Sequence, residues 1–106
     1  MIKVKIKEQS FIARFAAYNM KWNSAAIVFG KTIYLWNVNR KDFLRNKRWV
    51  LHELEHIRQY KELGFLSFIF QYLWESLRKG YYKNRFEVEA RQAEMEKQFL
   101  SDFTFV

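Results

Sequence analysis

Strand-like alternation is crowded into the first third of this chain, and helical periodicity fills almost all of the rest. "IKVKIK" at residues 2–7 places Ile2, Val4 and Ile6 on one face and three lysines on the other. That is the period-two pattern of a half-buried strand, and its lysines suit a sheet edge. Residues 10–22 change period: Phe11, Ile12, Phe15 and Ala16 form a helical stripe behind Ser10, a natural N-cap. "AAIVF" and "TIYLW" then flank Gly30-Lys31, and glycine at the first central position suits a type II′ hairpin turn. Residues 38–64 predict one long helix, with Asp42 as its cap and Gly64 ending it in a left-handed conformation. Residues 65–80 predict a second helix, and residues 85–100 a third, opened by Asn84 and acidic in its first turn. The tail "SDFTFV" alternates like a strand or stays loose. Strand, helix, hairpin and three helices in that order predict an α+β fold. We expect a small antiparallel β-sheet with a hairpin, packed on a central helix and two further C-terminal helices.

With 106 residues, no proline, no linker and no repeat, the chain is expected to form a single domain over residues 1–106. Half of it is apolar, enough to fill a small core and to exclude wholesale disorder. The absence of cysteine rules out disulfides, a thiolate metal site and a cysteine nucleophile. No signal peptide is visible, and the longest apolar run, residues 63–74, falls short of the roughly 20 residues that span a bilayer. A cytoplasmic location is the expectation. Residues 1–51 hold eleven of the nineteen basic side chains and two of the eleven acidic ones, so the net +8 is concentrated there. Such a field attracts anionic partners, but its scatter over several elements suits a solvated surface equally well. No nucleic-acid-binding motif accompanies it, so no specific nucleic-acid partner is expected. Residues 65–80 are apolar nearly all round, which predicts a helix buried in the core; the basic end "RKGYYK" leaves peripheral membrane or protein contact as the alternative.

Both histidines fall in one short stretch, "HELEH" at residues 52–56. On a helix, His52 and His56 stand one turn apart on one face, and their imidazoles can converge on a single cation. Glu53 is rotated by about 100° from His52, beside such an ion instead of on it, which suits a base that takes a proton from an activated water. H-E-x-x-H is a metalloprotease signature. A catalytic zinc needs a third protein ligand, and with no further histidine an acid must supply it. The best source is "NRFEVEA", residues 84–90. Glu87 shares a helix face with Ala90, a residue small enough for close helix approach, and is the preferred ligand. Glu89 is the alternative ligand or an outer support that orients a histidine.

"HELEH" followed by a glutamate helix resembles the gluzincins, the thermolysin-like clan of zinc metallopeptidases. The upstream stretch "NSAAIVFGKTIYL" is similar to the Asn-Ala strand and glycine turn that precede the motif in that clan. The resemblance covers roughly residues 23–93 and is strongest to the single-subdomain minigluzincins and short bacterial relatives. It implies a zincin-like domain that binds Zn2+ through His52, His56 and Glu87, with Glu53 as general base. It also implies that the strand holding Ala25, Ala26 and Ile27 forms the rim on which an extended peptide or protein substrate pairs. The chain departs from the clan in having Arg91 where an aspartate often follows the alanine, and in lacking a downstream histidine for the oxyanion. Tyr81 or Tyr82, just before the glutamate helix, is the candidate replacement. Zinc-dependent hydrolysis of peptide bonds is therefore the expected activity; the alternative is an inactive zinc-binding or basic interaction module.

Overall fold

The structure is a computed structural model that describes residues 2–96 and 102–106. In chain order the elements are β1 (Ile2–Lys7), α1 (Phe11–Met20), β2 (Ala25–Phe29), β3 (Thr32–Trp36), α2 (Arg40–Arg45), α3 (Lys47–Leu63), α4 (Phe65–Lys83), α5 (Arg85–Ala93) and β4 (Phe103–Phe105). The class is α+β. The sheet order is β2-β3-β1-β4, and the sheet is mixed, not wholly antiparallel. Only the β2–β3 hairpin is antiparallel; β1 runs parallel to both β3 and β4. The parallel pairing arises because α1 begins and β2 starts at the same end of the sheet, beside Leu35 and Trp36, so that β2 carries the chain back antiparallel and β3 then runs parallel to β1. β1 is thus an interior strand, not an edge. Its lysines need no free edge, because all three lie on the exposed face while Val4 is buried. The tail strand β4 joins β1 at the opposite edge of the sheet from β2.

The hairpin turn follows from glycine. Phe29 and Thr32 pair across Gly30-Lys31, and Gly30 alone of the two has a positive φ, 63°. A type I′ turn needs positive φ at both positions, so the pattern is that of type II′. Alternation then sorts the hairpin between two layers. Val28, Ile33 and Leu35 enter the main core, whereas Ala25, Tyr34 and Trp36 face the other way and pack with Ala13 and Ala17 of α1.

The helix expected over residues 38–64 is two helices. Asn46 interrupts it with φ −86° and ψ 86°. Its side chain accepts from the Trp49 backbone N–H at 3.2 Å and caps α3, while Asn39 accepts from the Asp42 N–H at 2.7 Å and caps α2. Asn at both positions competes with helical hydrogen bonding and wins the cap, so Asp42 stays in the first turn. Ser10 caps α1 as its position suggested, accepting from Ala13 N–H. α3 buries Val50, Leu51, Leu54 and Ile57, spaced at three and four residues, and ends at Gly64, where φ is 88°.

α4 differs most from expectation. Only Phe68 of its apolar side chains is buried, while Phe65, Leu66, Phe70, Leu73, Trp74 and Leu77 are exposed. The helix packs one narrow stripe against α3 and α5 and leaves the rest in solvent, because no further element of the described residues covers it. Gly80 breaks it (φ 79°, ψ 170°). Asn84 then starts α5: its Oδ1 accepts from Phe86 N–H at 2.9 Å, and its Nδ2 donates to the Tyr72 carbonyl at 3.0 Å and to Ser76 Oγ at 2.9 Å. α5 ends at Ala93, not near residue 100; residues 97–100 lie outside those described. Ala90, fully buried, lets α5 lie close on α3. No helix of the described residues is long and apolar enough to cross a membrane.

Candidate metal centre

Two helices build the site. α3 projects His52, Glu53 and His56, and α5 projects Glu87 from its first turn. One oxygen of Glu87 meets both imidazoles: Oε1 lies 2.9 Å from His52 Nε2 and 3.2 Å from His56 Nε2. The three ligand atoms all fall within 4.8 Å of one another. Glu89, the other acid of the motif, points away; it is exposed, and its Oε1 accepts from Gln59 Nε2 at 3.0 Å. It therefore acts on the site only through Gln59.

The far nitrogen of each histidine is also engaged. His52 Nδ1 lies 2.9 Å from Glu94 Oε2, and Arg48 holds the other Glu94 oxygen at 3.2 Å. His56 Nδ1 lies 2.9 Å from Gln59 Oε1. Gln59 spends its amide hydrogens on the Phe86 carbonyl at 3.1 Å and on Glu89, so its oxygen is the atom turned to the imidazole. A carboxylate and an amide oxygen only accept, so both Nδ1 atoms carry the hydrogen. Each neutral ring then has its lone pair on Nε2, aimed at a carboxylate oxygen that has no hydrogen to offer. Three electron pairs converge on one point, which is stable only with a cation there: a proton or a metal ion.

The proton affinities follow from that arrangement. Burial opposes charge on His56, but its hydrogen bond to Glu87 and the Glu87 charge outweigh burial and push its pKa up to about 9. His52 is raised in the same way, burial again being outweighed by Glu87 and Glu53. Burial would raise Glu87, yet the two histidines and Tyr72 hold it well below the ordinary carboxylate range. Tyr72 donates its hydroxyl to Glu87 Oε2 in a short hydrogen bond. Glu53 is only 5% exposed, and burial raises it to about 7 against the pull of both histidines.

A cleft of about 330 Å³ opens over these residues. Its walls are apolar: Ala16 and Met20 from α1, the β2 segment Ala26–Phe29, and Phe68, Ile69 and Leu73 from α4. His52, Glu53, His56 and Glu87 form its polar floor. Of the expected rim residues, Ala26 and Ile27 line the cleft, and Ala25, its side chain packed with Ala13 and Ala17 of α1, lines an adjoining hollow that shares His52, Glu53 and Tyr81. Because Phe29 and Thr32 close the hairpin, the alternation of an antiparallel ladder turns the backbone of Ala26 and Val28 toward the free edge of β2. Tyr60 already donates its hydroxyl to the Val28 carbonyl at 3.0 Å, which leaves Ala26 as the open pairing position. Tyr81 lines the cleft, and burial raises its hydroxyl pKa. Tyr82 does not reach it: its ring is exposed and lies 4.1 Å from the Arg91 guanidinium.

Gln59, Tyr72 and Glu94 were not singled out from the sequence. Gln59 lies three residues beyond His56 and Glu94 seven beyond Glu87, so helical spacing placed both on the right faces. Nothing in the spacing of α4 marks Tyr72; only the packing of α4 on α5 delivers it. Compared with models of known protein families, with curated proteins and with solved structures, the chain matches none.

Proposed function

We propose that this chain is a zinc-dependent metallopeptidase of the gluzincin type, with His52, His56 and Glu87 holding the ion and Glu53 acting as general base. One observation carries the reading: three lone pairs, two of nitrogen and one of carboxylate, meet at a point at the base of a cleft, and each histidine is fixed from behind. The donor set fits zinc. The carboxylate–imidazole separations of 2.9 and 3.2 Å are close to the roughly 3.4 Å between ligand atoms about a tetrahedral ion with bonds near 2.1 Å. Among the described residues three side chains offer a ligand atom there, a number that would leave a position for water as catalytic sites require. Zinc bound there supplies a Lewis acid that lowers the pKa of water and polarises a carbonyl.

The protein side of the mechanism belongs to Glu53. Its carboxylate, one residue round the helix from His52, lines the cleft beside the ligand atoms. A proton affinity near neutrality suits it to take a proton from the attacking water and pass it to the leaving amine. Tyr81, which also lines the cleft, is the donor we assign to the oxyanion. Ala26 offers the backbone groups with which an extended peptide pairs.

The test has two parts. Elemental analysis of protein purified without added metal should find about one zinc per chain, lost in His52→Ala. Glu53→Gln should keep the zinc and lose peptide cleavage by about a hundredfold or more. A Glu53→Gln protein that cleaves at the unsubstituted rate, or a wild-type protein that binds no divalent ion, overturns the reading.

A further inference from the structure

α1 and α4 both line the cleft, and Trp22, two residues past α1, packs edge to face on Tyr81 of α4 with ring centroids 5.6 Å apart. Each helix turns an apolar stripe to solvent. On α4 the stripe is Leu66, Phe70, Leu73 and Leu77, spaced four, three and four residues, and Leu77 is 83% exposed. On α1 it is Phe11, Phe15 and Tyr18, spaced four and three, and Tyr18 is 82% exposed. Scattered exposed apolar residues are ordinary, but four in a row on one helix beside the cleft are a demand for cover; the α1 stripe lies on the far side of its helix from Ala16 and Met20, which line the cleft.

The charge around the stripes indicates what covers them. Residues 11–21 carry Arg14 and Lys21 and no acid, and residues 65–85 carry Arg78, Lys79, Lys83 and Arg85 against Glu75 alone. A second copy of this chain would bring the same positive charge to the contact and be repelled, and the whole chain is at +8. An anionic bilayer surface is attracted by the same residues. The side chains suit its interface: Phe70 and Trp74 stand among the exposed apolar residues of α4, and Arg78 and Lys83 near its C-terminal end, while Lys79 pairs with Glu75 at 3.5 Å.

We propose that the exposed face of α4 docks on an anionic lipid surface, with Leu66, Phe70, Leu73 and Leu77 entering the headgroup region. The inference does not depend on the peptidase reading, since lipid binding is measured without turnover. In co-sedimentation, the protein should pellet with vesicles of phosphatidylcholine mixed with phosphatidylglycerol, pellet less with phosphatidylcholine alone, and release as salt rises. Phe70→Glu combined with Leu77→Glu should lower the partition about tenfold or more, with the circular dichroism spectrum unchanged. If that variant fails to fold, Arg78→Glu with Lys83→Glu gives the second reading and should abolish the preference for phosphatidylglycerol. Wild-type protein that stays in solution with both vesicles overturns the proposal. So does binding that neither pair of substitutions weakens, or a dimer in sedimentation that Leu77→Glu disperses, which would assign the face to a second copy.

Discussion

His52 is held through Nδ1 by Glu94 Oε2 at 2.9 Å, a contact between helices α3 and α5 that turns the other ring nitrogen toward Glu87. Arg91 occupies the position where the resembled clan often carries a supporting aspartate, and Glu94, the C-cap of α5, supplies a carboxylate three residues later. Glu94→Gln should therefore weaken zinc binding about 10- to 100-fold, by loosening both the ring orientation and its basicity. Competition against a chromogenic chelator measures this. An unchanged affinity would show that His52 does not depend on Glu94 for its orientation.

Tyr72→Phe removes the hydroxyl that donates to Glu87 Oε2 and changes little else in volume. In the metal-free protein it removes a short hydrogen bond to a buried carboxylate, at a cost of about 1–3 kcal/mol, with Tyr81 the other hydroxyl bonded to Glu87. Urea unfolding with chelator present reads the loss directly. A midpoint that does not move would mean that Glu87 finds another donor.

The metal-free protein should lose stability as pH rises from about 5 to about 9. Burial raises Glu53 from 4.5 to about 7, and burial opposed and outweighed by Glu87 leaves His56 raised from 6.5 to about 9. A group whose folded-state pKa is raised binds its proton more tightly folded than unfolded. Its contribution is complete below the unfolded value and lost as pH passes the folded one. Glu87, held low, works in the other direction: its contribution is present above about 4.5 and lost in acid. Thermal midpoints measured with chelator across this range test the fall. Saturating zinc, by taking the place of the proton between the histidines and Glu87, should flatten the alkaline limb; a metal-free protein equally stable at pH 6 and pH 9 would contradict the arrangement.

Asn84→Ala strikes the joint between α4 and α5. The residue is fully buried and joins three groups: the Phe86 N–H, the Tyr72 carbonyl and Ser76 Oγ. Losing a cap worth about 1 kcal/mol and two buried hydrogen bonds should cost about 2–4 kcal/mol in all. Because Asn84 sets where α5 begins, three residues before Glu87, zinc affinity should fall together with stability. Stability lost with unchanged zinc affinity would separate the cap from the site.

Local chemistry was legible where it is carried by neighbours in the chain. The period of residues 2–7, the serine before α1, the Gly30 turn and the helical spacing of His52, Glu53 and His56 follow from the sequence alone, because strand alternation, capping and helix pitch act over four residues or fewer. The α+β class follows from the order of those periods. Helix ends were harder. Asn46 divides α2 from α3 because its side chain caps a new helix more favourably than its backbone continues the old one, and Asp42 looked equally eligible from sequence.

What only the tertiary structure decided are the relations between distant segments. Whether β1 lies at an edge or between two partners depends on where the hairpin docks after α1 and on β4, a strand about a hundred residues away. That Glu87 and not Glu89 reaches the histidines depends on which face of α5 packs on α3, a choice made by buried Phe86, Ala90 and Ala93 together. The same packing brings Tyr72 and Glu94 to the site. The outward face of α4 was beyond any sequence pattern: an apolar stripe has the same spacing whether it is buried or bare, and only the surrounding elements determine whether there is enough chain to cover it.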